Sequence, residues 1–399
     1  MHEVFLARQP IFDRNRDVYG YELLFRHASV ANAQVEDGDR ATSEVIVNTL
    51  TVFGLDELVG NRLAFINMTH GFVVNHGRIA LPAARVVLEI LENVAPEPEI
   101  IAGLDSLRSA GYRIALDDFV YDPSLRPLLQ RADLVKVETP RLSLSELAEQ
   151  VDLLRPFNVK LLAEKVETPE GFEACKRMGF DYFQGYFLSR PSTMSNKDIP
   201  ASRLPVLKLI ATLQRPDVDV GELEDLISQD IALSYKLLRY LNSSFVALRR
   251  PIDSIREAVV YLGTRKLWTL AALIALASIP GKPKELAVAV MIRARLCEST
   301  GRMIGVENPA RCFMVGLLSG LDALLDAPLE RILERLPLDQ AIASALLHGD
   351  GAEGRVLSAV RDLEAGCVAR VRELGLSAAE TNEAYVEAVS WTENIRTVW

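Results

Sequence analysis

Residues 113–119 read RIALDDF, a short apolar run that ends on the adjacent acids Asp117 and Asp118. Burying charge at the end of a strand-like run is costly without a partner, so the placement needs a cause. The same design recurs along the first half of the chain. LAFIN (63–67) ends on Asn67, VVLEI (86–90) encloses Glu89, and LVKVE (134–138) encloses Lys136. KLLA (160–163) is followed by Glu164, DYFQG (181–185) encloses Gln184, and VYGYELLF (18–25) carries Glu22. With the opening run at 4–7 these make about eight strand candidates, rich in Val, Ile, Leu, Phe and Tyr. Amphipathic helical stretches at 99–110, 143–155 and 169–178 lie between several of them, and Thr168-Pro169-Glu170 has the composition of a helix start.

Alternating strands and helices predict a parallel sheet covered by helices, and about eight strands predict a closed (β/α)8 barrel of the TIM type. Such a barrel ordinarily needs about 250 residues. This half offers residues 1–195, so the barrel is expected to be abridged. At the C-terminal ends of barrel strands, side chains from different strands meet in one pocket. Glu22, Glu89, Asp117, Asp118 and Glu164 would then face Asn67, Lys136 and Gln184 across one site. Hard divalent cations take oxygen ligands of this kind. A pair of them can clamp a phosphodiester and activate water. Each acid alone has a plainer reading as a helix cap; the set carries the argument.

From Pro205 onward the alternation stops, and apolar residues recur at three and four, as in Leu233, Leu237, Leu238 and Leu241. Residues 196–399 therefore read as a helical domain, after a Pro- and Ser-rich boundary at 190–205. Trp391 sits in a polar C-terminal helix, as a packing residue or an interface marker.

The whole chain has 399 residues, 49% of them hydrophobic, and a formal net charge of −10 from 44 Lys plus Arg and 54 Asp plus Glu. This excludes disordered and disulfide-scaffold classes. The acidic balance argues against a protein that coats nucleic acid or anionic membrane. The longest apolar stretch, 267–279, is too short to span a bilayer. MHEVFLARQP lacks a signal-peptide pattern, and Cys175, Cys297, Cys312 and Cys367 show no CxxC spacing, so a cytoplasmic protein is expected.

The same motifs make the first half resemble the EAL domain, the bacterial cyclic-di-GMP phosphodiesterase family, over about residues 4–191. RQPIFDRNRDVYGYELLFR resembles its opening, with Glu22-Leu23-Leu24 where Glu-Ala-Leu is usual. The resemblance implies metal ligands at Glu22, Asn67, Glu89, Asp117 and Asp118, bound to Mg²⁺ or Mn²⁺. It implies catalytic roles for Lys136, Glu164 and Gln184, a phosphate contact at Arg26, and loop support from Glu92 and Glu167. Three departures stand out. DDFGTG becomes Asp117-Asp118-Phe119-Val120-Tyr121-Asp122, Lys165 replaces a glycine, and Glu138 replaces an aspartate. Retained ligands under a reshaped rim leave slow hydrolysis, binding of cyclic di-GMP alone, or a purely interacting scaffold open.

LPVLKLIATL, DIALSYKLLRYLNSS (230–244) and IDSIREAVVYLG (252–263) make the second half resemble an HDOD domain, a helical relative of metal-dependent HD phosphohydrolases. Where those enzymes carry their His-Asp pair, this chain has Ser319-Gly320. The resemblance implies a regulatory or protein-binding role for this half, with an unknown protein partner, and a homodimer as a further expectation. The order of the two domains is similar to that of a class of bacterial signalling proteins.

Overall fold

The computed structural model describes residues 4–27, 54–74, 81–185, 206–207, 210, 220–243, 246, 250–279, 282–336 and 338–396. The chain folds as two compact units. One contains Met1–Arg190 with Asp362–Arg372 and Ser377–Val386; the other contains Pro191–Arg361, Glu373–Leu376 and Glu387–Trp399.

The first unit is a closed eight-stranded barrel in sequential order. Its strands are β1 (Val4–Asp13), β2 (Val18–His27), β3 (Leu63–Met68), β4 (Val86–Ile90), β5 (Arg113–Leu116), β6 (Leu134–Glu138), β7 (Lys160–Glu164) and β8 (Tyr182–Gln184). Strands β2 to β8 run parallel, but β1 is antiparallel to both β2 and β8. The wholly parallel sheet expected from the alternation is thus corrected at its first strand. The cause is the short link after Asp13: Asp13 Oδ1 accepts from the backbone N–H groups of Asn15 and Asp17, forming a tight turn. A parallel crossover needs a dozen or more residues.

Described barrel helices are α1 (Leu55–Val59), α2 (His70–Val74), α3 (Pro98–Ser109), α4 (Arg126–Leu129), α5 (Leu144–Leu154) and α6 (Pro169–Met178). Among the described helices α1, α2 and α4 are short, with four or five residues each. Helix α5 starts on a capping box between Ser143 and Glu146, and α6 on the Thr168 side chain, which accepts from the Gly171 N–H.

Strand period decides what fills the barrel. Ile11, Phe65, Val87, Ala115, Leu134 and Leu162 form one buried apolar layer inside it. Two residues further along five of these strands stand Asn67, Glu89, Asp117, Lys136 and Glu164. Residues i and i+2 of a strand share a face, so these polar side chains form the next inward layer, toward the C-terminal mouth. Gly20, two residues before Glu22, leaves room for the Phe65 ring: a Cβ there would lie 2.8 Å from Phe65 Cε2.

Among the described residues β8 pairs with Ile11–Asp13 of β1, and the start of β1 has a further partner. The C-terminal helix supplies it. Asn382 Oδ1 accepts from the Leu6 N–H at 2.8 Å, its Nδ2 donates to the Val4 carbonyl at 2.7 Å, and the Tyr385 hydroxyl accepts from the Arg8 N–H at 3.1 Å. Replacing Asn382 by Leu should therefore leave two buried backbone groups unpaired and lower stability by about 2 kcal/mol, measurable by denaturant titration.

The helical unit contains α7 (Val220–Ser228), α8 (Ile231–Leu241), α9 (Ile255–Leu262), α10 (Thr264–Ala277), α11 (Lys284–Met303) and α12 (Pro309–Leu318). Helix α13 (Ala378–Arg396) divides its residues between the two units. Helix α11 is buried on most of its circumference, and α12 packs closely against it where a Cβ on Gly316 would lie 2.7 Å from Ala294 Cα. No helix among the described residues is long and apolar enough to cross a membrane.

Candidate functional site

The inward layer converges on Lys136, which is 1% exposed. Its Nζ lies 2.7 Å from Asp117 Oδ1, 2.8 Å from Glu89 Oε1, 3.0 Å from Glu164 Oε1 and 3.4 Å from Glu22 Oε2. Gln184 Nε2 donates to Glu22 Oε2 at 2.7 Å, and Asn67 Nδ2 donates to Glu22 Oε1 at 3.3 Å. Six strands and the segment just past β5 thus bring together Glu22, Asn67, Glu89, Asp117, Lys136, Glu164 and Gln184.

Asp117 and Asp118 form an elbow just past β5. The Asp117 N–H donates to Ile90 on β4, and the Phe119 N–H donates to Lys136 on β6. Between these anchors Asp118 takes a left-handed backbone with φ 44°, a conformation that aspartate tolerates better than most residues. Glu164 ends β7 in the same manner. Lys165 follows at φ 53°, and the Val166 N–H is pinned to the Gln184 carbonyl. The lysine therefore stands in a conformation suited to glycine. Asp117, Asp118 and Glu164 bring one oxygen each within 4.8 Å of one another.

Burial and charge set the protonation pattern. Burial raises Glu22, but the Lys136 ammonium with bonds from Gln184 and Asn67 outweighs it, holding the carboxyl below its usual value. Burial and the charge of Glu22 push Glu89 well upward. Burial also raises Asp117, against the pull of Lys136, and raises Glu164 to about 8. Lys136 loses by burial, but Glu89, Glu22, Glu164 and Asp117 more than restore it, keeping its ammonium charged well above the ordinary lysine range.

Asn67 Oδ1, Glu89 Oε2, Glu164 Oε2 and Gln184 Oε1 are buried without a hydrogen-bond partner among the described residues. All are oxygens, with no sulfur or imidazole in the set, and together they are a hard donor array that fits a divalent cation. A cation entering the site displaces the protons held by the raised carboxyls. Mn²⁺ affinity should therefore strengthen as pH rises from 6, because the raised carboxyls of Glu89, Asp117 and Glu164 give up their protons more readily. Calorimetry in two buffers of different ionisation enthalpy should record proton release at pH 7. For the folded protein without metal, the stability contributed by Glu164 is full below its ordinary pKa of 4.5 and lost as pH rises to about 8.

Other site residues lie at the rim. Glu138 accepts from Lys165 Nζ at 2.7 Å and pairs with Arg141, whose Nη2 lies 3.5 Å from Asp118 Oδ2. Arg141 was not apparent from the motifs; nothing in TPRL distinguishes it from a surface arginine. Tyr121 turns away from the carboxylates, its N–H donating to Gln150, its hydroxyl accepting from Arg126 and its ring beside Phe157. Glu92 and Glu167 are exposed beyond β4 and β7. Arg26 lies on β2, but its side chain falls outside the described residues.

In the helical unit, Ser319 receives Arg293 Nη1 on its hydroxyl at 3.2 Å and Arg361 Nη2 on its carbonyl at 3.1 Å. The same two guanidinium groups also act on the Asp322 carboxyl, which burial raises and their charge lowers.

Comparison with known proteins follows the same division. The EAL domain matches residues 67–191 and the HDOD domain residues 199–327. Cyclic di-GMP phosphodiesterase CdgJ of Vibrio cholerae serotype O1 is 33% identical over 99% of this chain and 94% of its own length. The chain belongs to the EAL–HDOD family. YuxH of Bacillus subtilis is 30% identical to this EAL–HDOD chain, over 98% of both. A solved BlrP1 structure from Klebsiella pneumoniae, a complex with calcium and cyclic di-GMP, aligns at 25% identity over 47% of this chain and 56% of that one, with a TM-score of 0.40.

Proposed function

We propose that the barrel binds cyclic di-GMP and hydrolyses it to linear pGpG with divalent cations, while the helical unit carries regulation to a protein partner. The observation that carries this reading is the convergence of Asp117, Asp118 and Glu164 beside buried oxygens that lack partners. A relative named as a cyclic di-GMP phosphodiesterase, similar along the whole chain, supports the substrate.

Glu22, Asn67, Glu89, Asp117 and Asp118 would hold Mg²⁺ or Mn²⁺. Cations held there would supply charge to polarise a phosphodiester and to lower the pKa of a water. Glu164, at about 8, is suited to accept a proton from that water near neutral pH. Lys136 stays protonated, so it acts as a fixed positive charge that keeps the carboxylates in their array. Gln184 is fixed by its bond to Glu22, and its open Oε1 can orient the attacking water. Arg26 is assigned to a phosphate by resemblance, and Glu92 and Glu167 to loop support. The free thiols of Cys175, Cys297, Cys312 and Cys367 support a reducing, cytoplasmic setting. A homodimer is part of the same proposal.

A second reading, a barrel that acts only through protein contacts, is favoured by one feature: Lys165 brings a cation to the rim at a glycine-like backbone position. Calorimetric titration with cyclic di-GMP separates the two. We expect saturable binding that requires Mn²⁺ or Mg²⁺; absence of binding with either metal would leave the scaffold.

A further inference from the structure

The helical unit carries a half-open pocket of about 520 Å³, the size of a site for one small organic molecule. All of its lining residues belong to that unit, so it is separate from the barrel chemistry. Its aromatic wall joins α12 to α13: the Trp391 ring stands edge-on to Phe313, with centroids 6.1 Å apart and planes at 86°. Leu270 and Leu273 of α10 add apolar surface.

The charged groups on the lining are Arg295, Lys266 and Glu298, beside the hydroxyls of Tyr240 and Thr269. Arg295 on α11 gives Nη1 to Glu298 at 2.7 Å and Nη2 to Glu387 at 2.6 Å, and its guanidinium lies 5.8 Å from the Trp391 ring centroid. Its Nε is buried and has no hydrogen-bond partner among the described residues. Lys266 stands on the same lining. The nearby carboxylate of Glu298 is taken on both oxygens, by Arg295 and Arg302. An occupant must therefore bring rings for the aromatic wall and an acceptor for the donors. An inorganic anion would leave the apolar surface uncovered, and a neutral hydrocarbon would leave Arg295 Nε unpaired.

We propose that this cavity binds a small aromatic organic anion, with its rings against Trp391 and Phe313 and its charged group on Arg295 and Lys266. The probe for testing this on the full chain is 8-anilino-1-naphthalenesulfonate, which pairs fused rings with one sulfonate. One probe should bind per chain and quench Trp391. Its uncharged analogue N-phenyl-1-naphthylamine should bind about tenfold more weakly or worse, the difference a charge-assisted hydrogen bond makes. Lys266→Met, at an exposed position, should weaken the sulfonate and leave the neutral analogue unchanged. Ala310→Phe should fill the cavity and abolish both, with folding checked by circular dichroism; Leu273→Trp fills it from another helix if the first variant does not fold. Equal affinity for the charged and neutral probes, absence of binding, or undiminished binding in a folded, filled variant would overturn the proposal.

Discussion

Glu164→Gln should lower hydrolysis of cyclic di-GMP by about 10²–10⁴-fold, the range expected when a general base is removed. The substitution keeps the shape and burial of the side chain and leaves Asp117 and Asp118 in place, so binding of the dinucleotide should persist within a few-fold. The reason lies in the environment of the carboxyl. Burial lifts it to about 8, and the neighbouring Lys136 ammonium at 3.0 Å stops it from rising further. A carboxyl poised near working pH can take a proton from water, whereas an ordinary exposed glutamate is too weak a base. Stopped-time chromatography for turnover and calorimetry for binding would separate the two effects. Loss of binding together with turnover would instead make Glu164 a structural member of the array.

Lys136→Met should have the largest effect on stability. The ammonium is the one cation within 3.4 Å of Glu22, Glu89, Asp117 and Glu164 among the described residues. Without it, four carboxyls face one another across a buried layer. Removing one partner of a buried ion pair costs about 3–5 kcal/mol. For a unit of this size that corresponds to a fall in Tm of roughly 10 °C. Methionine keeps the length and apolar stem, so the loss reads charge rather than packing. Added Mn²⁺ should recover part of it, because a divalent cation can replace the missing charge. An unchanged melting temperature would mean that the carboxyls are held apart by packing alone.

Much of the barrel was legible because its strands are short, apolar and closed by polar residues at one end. VVLEI was read over 86–90, where β4 lies, and PEGFEACKRM over the span of α6. Most other strand ends shifted by one or two residues, as β5 stops at Leu116 and leaves Asp117 in the elbow, but β1 runs on to Asp13, six residues past the opening run at 4–7. Alternation alone could not reveal the reversed direction of β1, because a strand pattern carries no polarity. The inward cluster was legible because its polar residues stand in, or just past the end of, short apolar runs, where the ends of barrel strands meet. Rim partners were harder to read. Arg141 reaches Asp118 only through the path of the loop, and the Asn382 clamp on β1 joins residues separated by 376 positions. No local pattern encodes either contact.

The central claim is that this buried array of carboxylates, and not merely the fold, hydrolyses cyclic di-GMP. Its most direct test is a single-turnover assay with purified full-length protein in excess over cyclic di-GMP, with Mn²⁺ or with a chelator, separating nucleotides by chromatography. The account predicts conversion to pGpG with Mn²⁺, none with chelator, and almost none in Glu164→Gln. Cyclic di-GMP that stays intact with Mn²⁺ while bound to the protein would contradict it.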